Sequence, residues 1–160
     1  MGCDIHAYIE FGASPVEREL GTQTRIGFFA EVHMGRNYQL FAALSDTRND
    51  GEVEAIAPPR GLPATVSAVL HDANTVLLSD RDEAGCTTRA QAQQWVANGS
   101  SQWVGSSRVT NPDWHSHSWV TADEFEEAMR RANEASPSAC AVLAALRALP
   151  HGLLVFWYDN

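Results

Sequence analysis

Polar and apolar residues alternate from the start of the chain. Cys3, Ile5, Ala7 and Ile9 fall on one side of an extended segment, and Asp4, His6, Tyr8 and Glu10 fall on the other. This spacing predicts a strand over residues 1–10 with one buried face. A second alternation runs through Asp113, His115, His117 and Trp119, which share a face if 115–121 is a strand. A half-solvated antiparallel sheet also produces such patterns. Solvent faces, however, are usually built from Thr, Lys, Glu and Arg. Asp and His are the residues that bind divalent metals or move protons near neutral pH.

The rest of the chain mixes helical and extended periods without a regular βαβ order. Ser14-Pro15-Val16-Glu17 fits the cap of a short helical turn. Residues 26–32 predict a second strand. Residues 36–44 predict a helix, with Leu40, Phe41 and Leu44 as its apolar stripe. Pro63 predicts a helix start running through Val66, Val69 and Leu70, and 76–78 a short strand. Thr88 to Gln91 reads as a capping box, opening a helix that stops at Asn98-Gly99. The Gly- and Ser-rich stretch around Trp103 predicts a loop or irregular hairpin. Thr121 to Glu124 is another capping box, before a helix with Phe125 and Met129 four apart. A last helix over 138–149 is stopped by Pro150 and Gly152, and LLVFWYDN closes the chain as an apolar strand. The pattern predicts an α+β single domain over 1–160. Its mostly antiparallel sheet includes both terminal strands and is covered by helices on one face.

Composition narrows the partners. The 160 residues, 44% hydrophobic, suit one domain with a real core. No apolar run is long enough to span a bilayer and no leader pattern opens the chain, so no membrane partner is expected. Cys3, Cys86 and Cys140 are odd in number and form no CxxC pair, which fits a reduced intracellular setting. A net charge of −9 argues against duplex nucleic acid as a partner. Every basic residue is Arg, a planar fork suited to phosphate or carboxylate.

Two constellations could carry chemistry. Asp4, His6 and His115 are candidate ligands for a divalent metal (Zn, Mn or Mg), with His117 or Asp113 as the catalytic acid or base. An HxH pair on one strand face spaces its imidazoles by roughly 6–7 Å. Asp159 is a further candidate ligand, although a solvated chain end explains it as well. In the second set, Arg36, Arg48 and Arg60 sit in loops or at helix ends and could hold phosphates, while Tyr38 and Trp119 could stack a base. Surface pairing with carboxylates and core packing are the plain alternatives. The chain has no P-loop, GxGxxG, GxSxG or HExxH motif, and no pair of H-x-Ser/Thr motifs. Cys3 lies on the opposite side of its strand from His6, which discounts a thiol nucleophile.

Several blocks together are distinctive: MGCDIHAYIE, RNYQLFAAL, the RGLP loop, CTTRAQAQQWV, NPDWHSHSWVT and VFWYDN. They resemble a family of uncharacterised proteins from tailed phages and prophages, over nearly the whole chain. Segment 11–25 departs from that family and reads as a variable loop. The resemblance implies a small accessory protein acting in the bacterial host cytoplasm, not a large virion component. Such accessory proteins often counter host defence by binding or destroying nucleotide messengers.

Three functions are then expected. The first is metal-assisted phosphodiester hydrolysis of a small anionic nucleotide or cyclic nucleotide. The second is a non-catalytic sponge that sequesters the same messenger, as a homo-oligomer. The third is an acidic inhibitor of a host enzyme. Hydrolysis stands slightly ahead of sequestration.

Overall fold

A computed structural model describes residues 2–21, 25–81 and 83–159. Along the chain run β1 (Asp4–Phe11), α1 (Pro15–Glu19), β2 (Gly27–Val32), α2 (Tyr38–Ser45) and α3 (Ala68–Asn74). There follow β3 (Thr75–Leu78), β4 (Cys86–Thr87), α4 (Arg89–Ala97), β5 (Arg108–Thr110), β6 (His115–Thr121), α5 (Ala122–Arg131), α6 (Pro137–Ala148) and β7 (Leu153–Asp159).

β7 decides the architecture. Leu154, Phe156 and Tyr158 point one way and Leu153, Val155 and Trp157 the other, and none of the six is more than 1% exposed. A strand that is apolar on both sides must be central and covered on both faces. It pairs antiparallel with β1, from Asp4 opposite Asp159 to Glu10 opposite Leu153, and with β6 on its other edge. β2 completes the order β2-β1-β7-β6. Both terminal strands therefore lie side by side in one antiparallel sheet, with the 115–121 strand next to them.

One face carries α2, α5 and α6. Cys3, Ala7, Ile9, Phe156 and Tyr158 of the sheet pack against Phe41, Leu44, Phe125, Met129, Val142 and Leu146 of the helices. α5 shows why it forms where it does. Thr121 and Glu124 make a reciprocal capping box, and Phe125, Ala128 and Met129 turn one stripe inward.

The opposite face of the sheet is covered as well. Tyr8, Val155 and Trp157 pack there against Leu62, Val66, Leu70 and Val104. These belong to the central part of the chain, which folds into α3, α4 and a small mixed sheet of order β4-β3-β5, parallel at one pair and antiparallel at the other. Within it Pro63 is buried and opens no helix. α3 begins later, at Ser67, whose side chain accepts the Leu70 N–H. No helix among the described residues is long and apolar enough to cross a membrane.

Glu10 ends the polar row of β1 as a fully buried carboxylate. Arg18 of α1, 1% exposed, donates to it, and the Ser67 N–H donates to its other oxygen at 2.7 Å. Arg18 also donates to the carbonyls of Ala13 and Thr65. Buried charges persist only when paired in this way, so the pair ties α1 and the start of α3 to the sheet.

Candidate functional site

Ser116 determines where the two β6 imidazoles go. His115 lies opposite Tyr158 and Ser118 opposite Phe156, so β6 spends three steps where β7 spends two. Ser116 takes up the extra residue at φ 52°, in the left-handed region. One inserted residue inverts the alternation beyond it. His115 stacks on Tyr158 on the helix side, with ring centroids 6.0 Å apart. His117 stacks on Trp157 on the other side, also at 6.0 Å. The expected common face of His115 and His117 is therefore split, while His117 keeps the side of Trp119, which lies opposite Val155.

His6 joins His117 on the Trp157 side. Its ring centroid is 5.8 Å from Trp157 and 5.2 Å from Trp114, and its Nε2 lies 2.9 Å from Asp159 Oδ2. Tyr8 stacks at 5.0 Å and Trp114 at 5.6 Å on the same indole. Trp157 is thus the shared floor for two histidines far apart in sequence.

Asp4 is committed elsewhere. Both its oxygens accept from the Arg36 guanidinium, and that contact holds the carboxyl below the ordinary carboxylate range. Among the described residues no three His, Cys, Asp or Glu side chains are placed to share a metal ion. Asp113 is exposed, with its N–H donated to Asn111 Oδ1 at 3.0 Å.

A cleft of about 380 Å³ opens beside this aromatic group. Its walls are Pro59 and Gly61, residues 99–102, Thr110, Pro112 and residues 114–117. No wall side chain carries a fixed charge. His117 Nε2 lies 3.0 Å from Asn74 Nδ2, which makes Nε2 the acceptor. Burial, with a smaller push from His115, lowers the His117 pKa to about 4, so the ring is neutral at physiological pH. The loop at the mouth is held rigidly. Gln102 accepts the Leu62 N–H and donates to the Leu62 carbonyl, both at 2.9 Å, and the Gly61 N–H donates to the His117 carbonyl at 2.8 Å. Gly61 is required there. At φ 79° a Cβ would stand 2.4 Å from Gln102 Oε1.

Three buried polar atoms near this cleft have no partner among the described residues. Ser101, which carries one of them on its Oγ, belongs to the wall, whereas His115 Nε2 lies across the sheet on the helix side with Tyr158. Asn74 Oδ1 and Trp157 Nε1 belong to the two residues that hold His117. Buried polar groups are normally satisfied, and these lie beneath the wall of the cleft, closed to its interior.

The three arginines do not converge. Arg36 lines a separate cleft with Asp4, His6, Glu31 and His33. Arg48, at φ 53°, lines a small one with Tyr38. Tyr38 is exposed, and its hydroxyl accepts the Cys3 N–H at 3.4 Å. Arg60 lies over the Trp119 ring, with Cζ 4.5 Å from the centroid, and forks onto Glu124 at 2.6 and 3.0 Å. Trp114, Trp157, Asn74 and Gln102 escaped the sequence reading. Trp157 was legible as part of an apolar strand. Trp114 was hidden by the face assignment that the bulge changes, and Asn74 and Gln102 gave no local signal.

Comparison with protein-family models, with curated proteins and with solved structures gives no match.

Proposed function

We propose that the protein binds a nucleoside or nucleotide in the cleft beside Trp114 and His117 and holds it unaltered, as a phage accessory protein sequestering a nucleotide signal in the host cytoplasm would. The observation that carries this reading is a cleft lined by Trp114, neutral His117 and uncharged Ser, Thr and Gln side chains, with no fixed charge in its wall. A nucleobase offers a flat face for Trp114 and an edge that both donates and accepts. The volume, about 380 Å³, lies in the range of small-ligand sites. Neutral Ser, Thr, Gln and His side chains suit a neutral ring better than an ion.

Geometry also favours holding over turnover. An ion shared by Asp4, His6 and His115 would need all three on one side. Asp4 is engaged by Arg36, His6 by Asp159, and His115 stands on the helix side against Tyr158.

The test is titration with a panel of nucleosides and of linear and cyclic nucleotides, followed by tryptophan fluorescence and calorimetry, with the bound fraction identified by mass spectrometry. The expected outcome is an intact ligand whose affinity drops about tenfold or more in Trp114→Leu, since base–aromatic stacking is worth roughly 1–3 kcal/mol. Cleaved product would restore the hydrolase, and no binding across the panel would end the nucleotide reading.

A further inference from the structure

We infer that Arg60 is the phosphate-recognising residue of this cleft, taking the ligand's phosphate in exchange for the Glu124 carboxylate; the inference rests on the nucleotide reading above. Arg60 sits between Pro59 and Gly61, both of which are in the cleft wall. The wall itself has no fixed charge to meet a phosphate, and Arg36 and Arg48 line other clefts.

The present contacts of Arg60 resemble those a phosphate would make. Nη1 and Nη2 donate to Glu124 Oε2 and Oε1 at 3.0 and 2.6 Å, a two-pronged arrangement that a phosphate matches with two of its oxygens. The guanidinium has a second anchor that does not depend on Glu124. It stacks on Trp119 and donates to the Trp119 carbonyl at 3.0 Å. A planar cation stacked on an indole can turn its fork while remaining over the ring.

Glu124 can release it without being stranded. Its Oε2 also accepts the Thr121 N–H at 2.9 Å, and the Glu124 N–H is donated to Thr121 Oγ1, so the capping box persists when the arginine leaves. Both side chains are partly open to water, 25% for Arg60 and 30% for Glu124. Water therefore reaches both groups, so neither charge is left desolvated while the partner is exchanged. By contrast, the Glu10–Arg18 pair has no water access at either side chain and no freedom to exchange.

Calorimetry on the full chain with each nucleoside monophosphate and its parent nucleoside tests this. The wild type is expected to bind the monophosphate at least about tenfold more tightly than the nucleoside. R60A is expected to bring that ratio near one, with R60K in between because it keeps the charge and loses the fork. E124Q is expected to tighten the monophosphate several-fold and leave the nucleoside alone, because it removes the competing charge. An unchanged ratio in R60A and R60K, with nucleoside still bound, would overturn the role of Arg60 while the cleft reading stands. Weaker binding of both ligands in E124Q would show the pair to be a structural clamp and likewise overturn it. No binding of either ligand by the wild type would overturn the cleft reading and this inference together.

Discussion

The polar rows of β1 and β6 look alike as sequence and end differently as structure. β1 pairs with β7 one residue for one from Asp4 to Glu10, so Asp4, His6, Tyr8 and Glu10 stay on one side. Each then finds its own partner: Arg36, Asp159, Glu31 and Arg18 respectively. The row becomes a series of separate contacts, from an exposed ion pair at one end to a fully buried one at the other. β6 breaks its row at Ser116, sending His115 to the helices and leaving His117 over Trp157. The regular strand spent its polar residues on fastening the fold. The irregular one placed a neutral imidazole in the wall of a cleft.

The reason lies in where each strand sits. β1 is interior to the sheet, between β2 and β7, and an extra residue there would disturb two ladders at once. β6 is an edge strand, where bulges are concentrated and a neighbouring loop can take up the loose backbone. Here the loop before α3 does so, through the Gly61 N–H on the His117 carbonyl and the Arg60 N–H on Ser118 Oγ.

The largest effect is expected at the structural end of the β1 row. Glu10→Ala leaves the Arg18 guanidinium buried and without its carboxylate, which should cost about 3–5 kcal/mol. Chemical denaturation measures it. A joint Glu10→Leu, Arg18→Met replacement removes both charges together and should recover most of the loss. If Glu10→Ala unfolds no more easily than the wild type, β1 is not the structural row and the contrast fails.

A smaller effect separates the rows by pH. His117 is neutral in the fold down to about pH 4, whereas an unfolded histidine takes its proton near 6.5. Below 6.5 the unfolded chain binds a proton that the folded chain refuses. Stability from this group is therefore complete above 6.5 and falls as pH drops toward 4, by up to about 3 kcal/mol. His117→Gln should flatten that part of the stability–pH curve. An identical slope in the variant would show that His117 is not held neutral by its burial between Asn74 and Trp157.

Much of the fold was legible because periodicity and capping agreed. β1, β2, β6, β7, α2, α4, α5 and α6 fall close to where alternation, apolar stripes and the Thr88 and Thr121 caps put them. The second layer was foreshadowed by β7, since Leu153, Val155 and Trp157 need a cover as much as Leu154, Phe156 and Tyr158 do. Its own small sheet was not legible: β4 has two residues and β5 three, too few to show a period. For the site, residue type was a better guide than spacing. His6, His117 and Trp119 do share a side with Trp157, but the bulge at Ser116 has no sequence signature of its own. The arginines were readable as anion forks and unreadable as pairs, because Asp4, Glu10 and Glu124 lie far from them in sequence or on another element.

Ser116 offers the finest test of the comparison. It holds a left-handed backbone that costs an ordinary residue about 1–2 kcal/mol, and its Oγ lies 2.9 Å from His115 Nδ1. Ser116→Gly removes the strain and loses the hydrogen bond, two changes of about 1 kcal/mol and opposite sign. Its stability should stay within about 0.5 kcal/mol of wild type. Ser116→Val adds a β-branched side chain to the same left-handed conformation and loses the same bond, so a cost of about 2 kcal/mol is expected. The strand can escape that cost only by abandoning the bulge, which would carry His115 toward the His117 side as strict alternation predicts. Thermal denaturation gives the energies, and histidine ring shifts in NMR spectra report whether His115 still lies against Tyr158. A Ser116→Val protein as stable as Ser116→Gly, with His115 unmoved, would mean that backbone strain at Ser116 does not set the two imidazoles apart, and that the loop docked on the β6 edge does so instead.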